Sequence, residues 1–173
     1  KEYPAKESKI WHSAGKDWSA TICQTATIAD LSPLAISTAR QLYISKNPHL
    51  ANEVTAWNDE TFLNKARLCI GGKITYTALL LLGLPESEHF ISPAIARITW
   101  ILRATNNIEK DYTHFGMPLL LATEQVFAKI RNLTYRYIRD GGLFPEEIDQ
   151  YDPYVIRESL NNCIAHQDYT LRG

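Results

Sequence analysis

Apolar residues recur every three to four positions in some stretches of this chain and alternate with polar ones in others, so the sequence predicts both helices and strands. Residues 1–15 show no period and read as a polar tail or linker. Trp18 to Thr27, rich in Thr and apolar residues, predicts a strand that buries Trp18, Ala20 and Ile22. Ser32-Pro33 announces a helix, with Ser32 as N-cap and Pro33 at the first helical position. Its apolar face is Leu34, Ile36, Ala39, Leu42 and Tyr43; it runs to about Ser45, and Pro48 prevents continuation. A second helix is expected from Asn58 or Asp59, with Phe62, Leu63, Ala66 and Leu68 inside and Gly71-Gly72 ending it. Thr75 then caps a short apolar helix, Tyr76–Leu82, closed by Gly83 and Pro85.

The run from Ala94 to Arg103 predicts a strand, with Ile95, Arg97, Thr99, Ile101 and Arg103 on one face and Ala96, Ile98, Trp100 and Leu102 facing inward. Thr105 to Gly116 reads as a polar loop, and Pro118 opens a helix over Leu119–Asn132. Thr134 to Arg139 predicts another strand, turning at Asp140-Gly141-Gly142, and an acidic loop with Glu146, Glu147 and Asp149 follows. A last helix spans Pro153 to Gln167, capped by Asp152, with Val155, Ile156, Leu160, Cys163 and Ile164 as its apolar stripe. The order of elements gives an α+β class, with a small sheet covered by helices.

The helix–turn–helix cadence up to Leu82 suggests a DNA-binding motif. A recognition helix, however, needs outward Arg, Lys, Asn or Gln to reach base edges, and Tyr76–Leu82 is nearly all apolar. That helix belongs in a core. Lys129, Arg131, Arg136 and Arg139 interleave with Tyr135 and Tyr137 in the manner of a nucleic-acid surface. Strand alternation puts the tyrosines on the face opposite Arg136, which favours a strand whose long basic side chains shield an edge.

Composition narrows the classes. With 45% hydrophobic and 21% charged residues the chain has the make-up of an ordinary soluble globular domain. A net charge of −1 excludes a chain-wide nucleic-acid footprint. Cys23, Cys69 and Cys163 are odd in number and scattered, as expected for reduced thiols in a cytoplasmic protein rather than a disulfide framework or zinc site. No apolar run is long enough to span a bilayer, and no G-x-x-x-x-G-K-[ST] loop is present, so a P-loop motor is excluded within these residues.

The strongest chemical signal lies in the last helix. Glu158 and Asn162 are four apart, so a helix stacks a carboxylate and a carboxamide oxygen on one face. Such a pair can hold a water and a hard cation; Mg2+ suits it, because that ion takes oxygen ligands and keeps waters for a bound phosphate. His166 and Asp168 follow closely, but without a third ligand they make no zinc site. With Tyr169 they are expected to shape the turn that leaves the helix.

The run Arg157-Glu158-Ser159-Leu160-Asn161-Asn162-Cys163-Ile164-Ala165-His166-Gln167-Asp168-Tyr169 resembles the R-E-A-L-x-N-A-[IL]-x-H-R-D-Y signature of bacterial AlbA/Schlafen-type transcriptional regulators. These are also labelled RecG-related ATP-dependent DNA helicases and carry a C-terminal GHKL-like ATPase domain. Asn47-Pro48-His49-Leu50, Asp59 to Arg67, Gly72 to Thr75 with Ala78 to Gly83, and Phe144 to Glu147 also look like the linking region of such proteins. The resemblance implies that Glu158 polarises the attacking water and that Asn162 binds Mg2+ beside ATP. Asn161 and Gln167 depart from the pattern, where an apolar residue and an Arg are usual.

It also implies a fragment of a larger multidomain protein: a tail (1–15), a connecting domain (16–150) and the first helix of a truncated ATPase domain (151–173). Such a fragment is expected to be inactive on its own, because the adenine-binding half of the site lies elsewhere. ATP and Mg2+ would bind in the full-length parent, and DNA through its other domains. The alternative from a different class is a structural linker or oligomerisation module without catalytic activity.

Overall fold

The computed structural model describes residues 17–171; the predicted tail lies outside them. The chain is α+β, with antiparallel pairs only. It opens with α1 (Pro33–Lys46), α2 (Ala51–Ala56) and α3 (Asp59–Lys65), then a minimal hairpin of β1 (Cys69–Ile70) and β2 (Lys73–Ile74). There follow α4 (Tyr76–Leu82), a hairpin of β3 (Ile98–Arg103) and β4 (Glu109–Phe115), and α5 (Leu119–Lys129). A third hairpin, β5 (Thr134–Ile138) with β6 (Pro145–Asp149), leads into α6 (Pro153–His166). The expected single sheet is therefore three separate two-stranded ones.

Helix starts form where cap chemistry allows. The side chains of Ser32, Asn58 and Thr75 accept from the backbone N–H groups of Ala35, Thr61 and Ala78, satisfying donors that a first turn leaves unpaired. The core sits among α1, α3, α4 and α5. Leu31, Ile36, Phe62, Leu63, Ile74, Leu79, Leu82 and Leu119 are all nearly inaccessible to solvent. As expected, α4 is a core helix: Ala78, Leu79, Leu80 and Leu82 are buried. Arg40 ties α2 to α3: its Nη1 donates to the Val54 and Trp57 carbonyls at 2.8 and 2.9 Å, and its Nη2 meets Asp59 at 2.6 Å.

Several expectations need correction. Trp18 to Thr27 is not a strand; its polar side chains bond locally, Asp17 with Ser19, Thr21 with the Trp18 carbonyl, Thr27 with Asp30. Such bonds compete with a ladder, and Cys23 and Ala26 are buried instead of Ala20. On α1, Leu34 and Leu42 are exposed, and Ala35 with Ile36 forms the buried contact. Gly71-Gly72 ends no helix. Both have positive φ (58° and 78°), the conformation of a two-residue hairpin turn. The polar loop after Thr105 contains β4, and the acidic loop before α6 contains β6. The inward alternation of Ile98, Trp100 and Leu102 on β3 is observed.

Among the described residues none after Val126 is buried. The β5–β6 hairpin and α6 form an outer layer that shows apolar side chains to solvent: Leu143 is 90% and Phe144 80% exposed. No described helix is long and apolar enough to cross a membrane.

Candidate functional site

The candidate site rests on α6 and on what orients it. Asp152 caps the helix by accepting from the Tyr154 N–H at 2.8 Å, and Pro153 occupies the first position. Just upstream, the Asn132 carboxamide grips the Tyr151 backbone in both directions, its Nδ2 donating to the carbonyl and its Oδ1 accepting from the N–H (2.8 and 2.9 Å). The start of α6 is thereby fixed to the end of the β5–β6 hairpin.

Three residues then set the rotation of α6. Arg157 forms an ion pair with Glu124 of α5 and lays its guanidinium 3.9 Å from the centre of the Phe127 ring. Ile164 packs on the core. Beyond the helix, Tyr169 donates its hydroxyl to the Ile164 carbonyl at 3.0 Å and stacks on Trp18, with ring centres 5.9 Å apart. Burial pushes the Tyr169 phenol above its ordinary pKa.

With Arg157 and Ile164 turned inward, Glu158 and Asn162 fall on an exposed face, one helical turn apart. Among the described residues neither has an ion-pair or hydrogen-bond partner. Their oxygens suit a hard cation but supply only two ligands, so water and phosphate would have to complete the shell. No group of three or more His, Cys, Asp or Glu able to hold a metal occurs among the described residues. His166 is exposed at the helix end. Asp168 shapes the following turn, accepting from the Thr170 hydroxyl (2.6 Å) and N–H (2.9 Å), which lower its pKa.

Three of the four basic residues near β5 have acidic partners, and Arg131 forms no ion pair among the described residues. Arg136 faces Glu147 at 3.9 Å, Arg139 faces Glu146 at 3.8 Å, and Lys129 lies 4.0 Å from Asp111. Carboxylates of the neighbouring strands thus offset the charge that a phosphate backbone would need. The thiols of Cys23 and Cys69 are buried and that of Cys163 is exposed, all three free.

One feature has no sequence signal. A cavity of about 780 Å3 opens between α4, α5, α6 and the Trp18 turn. Asn161 of α6 lines it, whereas Glu158 and Asn162 do not. Its walls come from residues far apart in the chain, so no local pattern marks it.

No curated protein and no solved structure matches the chain. The chain belongs to the family described as domain of unknown function DUF8451, whose model matches residues 9–98, more than half of the chain.

Proposed function

We propose that this chain is the connecting region of an AlbA/Schlafen-type transcriptional regulator, and that α6 supplies one half of a GHKL-type ATP and Mg2+ site. The observation that carries this reading is the exposed stripe of Glu158 and Asn162 on a helix whose orientation is fixed by Arg157, Ile164 and Tyr169. Glu158 acts as general base on the attacking water, and Asn162 gives its carboxamide oxygen to the cation that ATP brings. The matched charges near β5 favour DNA contact through other parts of the parent.

The test uses the full-length parent. Asn162→Ala should weaken nucleotide binding more than Asn162→Asp, and only when Mg2+ is present. Glu158→Gln should bind ATP nearly as well as the parent yet turn over roughly a hundredfold more slowly, the scale of losing a general base. Parent-like turnover by Glu158→Gln would end the catalytic assignment. The chain alone is expected not to hydrolyse ATP; calorimetry showing micromolar ATP binding to it would overturn the half-site idea.

A second reading is a docking or self-association module. The cross-strand pair Tyr135 and Ile148, and Leu143, Phe144 and Tyr154, are exposed apolar side chains on the outer layer, of the kind that interaction sites use. Light scattering across a concentration series separates the two: a strictly monomeric species removes self-association.

A further inference from the structure

The cavity beside α6 has the dimensions of a small-molecule site, since such pockets hold roughly 300–1,000 Å3. Its floor is apolar, from Leu80 and Leu119, which are buried, and Leu81 and Ile164, which are half-buried. One wall is aromatic. Trp18 stacks on Tyr76 with ring centres 4.5 Å apart and on Tyr169 at 5.9 Å, so the indole is held rigidly from two elements.

The polar groups at the rim divide into spent and unspent. Thr77 donates its hydroxyl to the Ser19 carbonyl and Thr123 donates to the Leu120 carbonyl, so both donors are used. Asp17 uses Oδ1 to accept from Ser19, and Asp168 uses Oδ1 to accept from Thr170. In both carboxylates Oδ2 makes none of the described hydrogen bonds. The amides of Asn161 and Gln167 are likewise unspent among the described residues. No Lys, Arg or His occurs among the described residues of the lining, whose only charges are the two carboxylates.

We propose that this cavity binds a flat aromatic amine, with the ring against the apolar floor and aromatic wall and the ammonium at the Asp17 and Asp168 carboxylates. A phosphate or carboxylate ligand meets the wrong charge there, so the cavity is distinct from any ATP phosphate site. The proposal is independent of the roles given to Glu158 and Asn162, and its failure leaves them untouched.

Tryptamine and indole-3-propionate test it on this chain, because they share a ring and differ in the sign of the side-chain charge. Calorimetry should give saturable tryptamine binding and an affinity for indole-3-propionate at least about tenfold lower, the scale of reversing a charge near two partly screened carboxylates. Asp168→Asn keeps an acceptor for Thr170 but removes the charge, and should weaken tryptamine while leaving uncharged indole unchanged. Ala165→Trp places a ring in the mouth of the cavity from an exposed helix position, and should abolish tryptamine binding with the unfolding temperature unchanged. Equal affinity for the two charged probes overturns the proposal. So does tryptamine binding that fails to saturate, or that survives Ala165→Trp in a folded protein.

Discussion

Removing the Arg157 guanidinium should loosen α6 from α5 and leave the core as it is. The pair with Glu124 is partly exposed, with side chains 43% and 61% accessible, so it contributes at most about 1 kcal/mol. The guanidinium over Phe127 adds about 0.5–1 kcal/mol at so open a position. The loss in Arg157→Ala is therefore about 0.5–2 kcal/mol. Because α6 has no buried residue, this is a local docking energy and not a share of global stability. Amide hydrogen exchange read by mass spectrometry should show α6 exchanging about 2–30 times faster, with α1 and α4 unchanged. Arg157→Lys keeps the charge but not the planar stack and should fall between. Equal acceleration in α1 and α4 would mean that α6 opens only when everything unfolds, and the reasoning fails; no change in α6 would mean that neither contact holds it.

Arg40→Ala strands the Val54 and Trp57 carbonyls and should cost about 3–6 kcal/mol in a denaturant titration, since bonds from a charged donor count for about 1.5–3 each. Asp59→Asn, which removes only the exposed end of that network, should cost under about 1 kcal/mol, and comparable losses would refute the assignment. Gly83 is required for space and not for backbone freedom: a Cβ there would lie 2.4 Å from the Leu79 carbonyl oxygen and 2.8 Å from Met117 Cε. Gly83→Ala should cost about 1–3 kcal/mol, read as a lower unfolding temperature. Burial raises the pKa of both Tyr76 and Tyr169, so the stability they contribute is complete below the ordinary phenol value of about 10 and is lost as pH rises through their higher folded values. Urea titrations should show a loss above about pH 10 that is smaller in Tyr169→Phe; an equal loss would free Tyr169 of that role.

The helix starts at Ser32, Asn58, Thr75 and Asp152 were legible in the sequence because a cap is decided within three residues. So was β3, whose alternation reflects one wet face and one dry one. The strand β4 was not, because Glu109 to Tyr112 are exposed on both faces and so carry no alternation. Each strand of the Gly71-Gly72 hairpin has two residues, too few to display a period. Glu158 and Asn162 were found from spacing and resemblance, and helix geometry places them on one exposed face. The cavity joins Trp18 to Tyr169 across nearly the whole chain, a proximity that only tertiary packing creates.

The hairpin of β5 and β6 bears on how copies of this molecule meet. A net charge of −1 gives copies almost no long-range repulsion, so protection against sheet growth must be placed at the strand edges. One edge strand carries Arg136, with Arg139 just beyond its end, and the other carries Glu146, Glu147 and Asp149. Two copies that met symmetrically, like edge to like edge, would set cation against cation or anion against anion. Unlike edges attract, but that arrangement is head-to-tail and closes on no symmetric dimer. Salt weakens both the repulsion and the attraction, so ionic strength governs whether this hairpin stays solitary or begins a chain of its own kind.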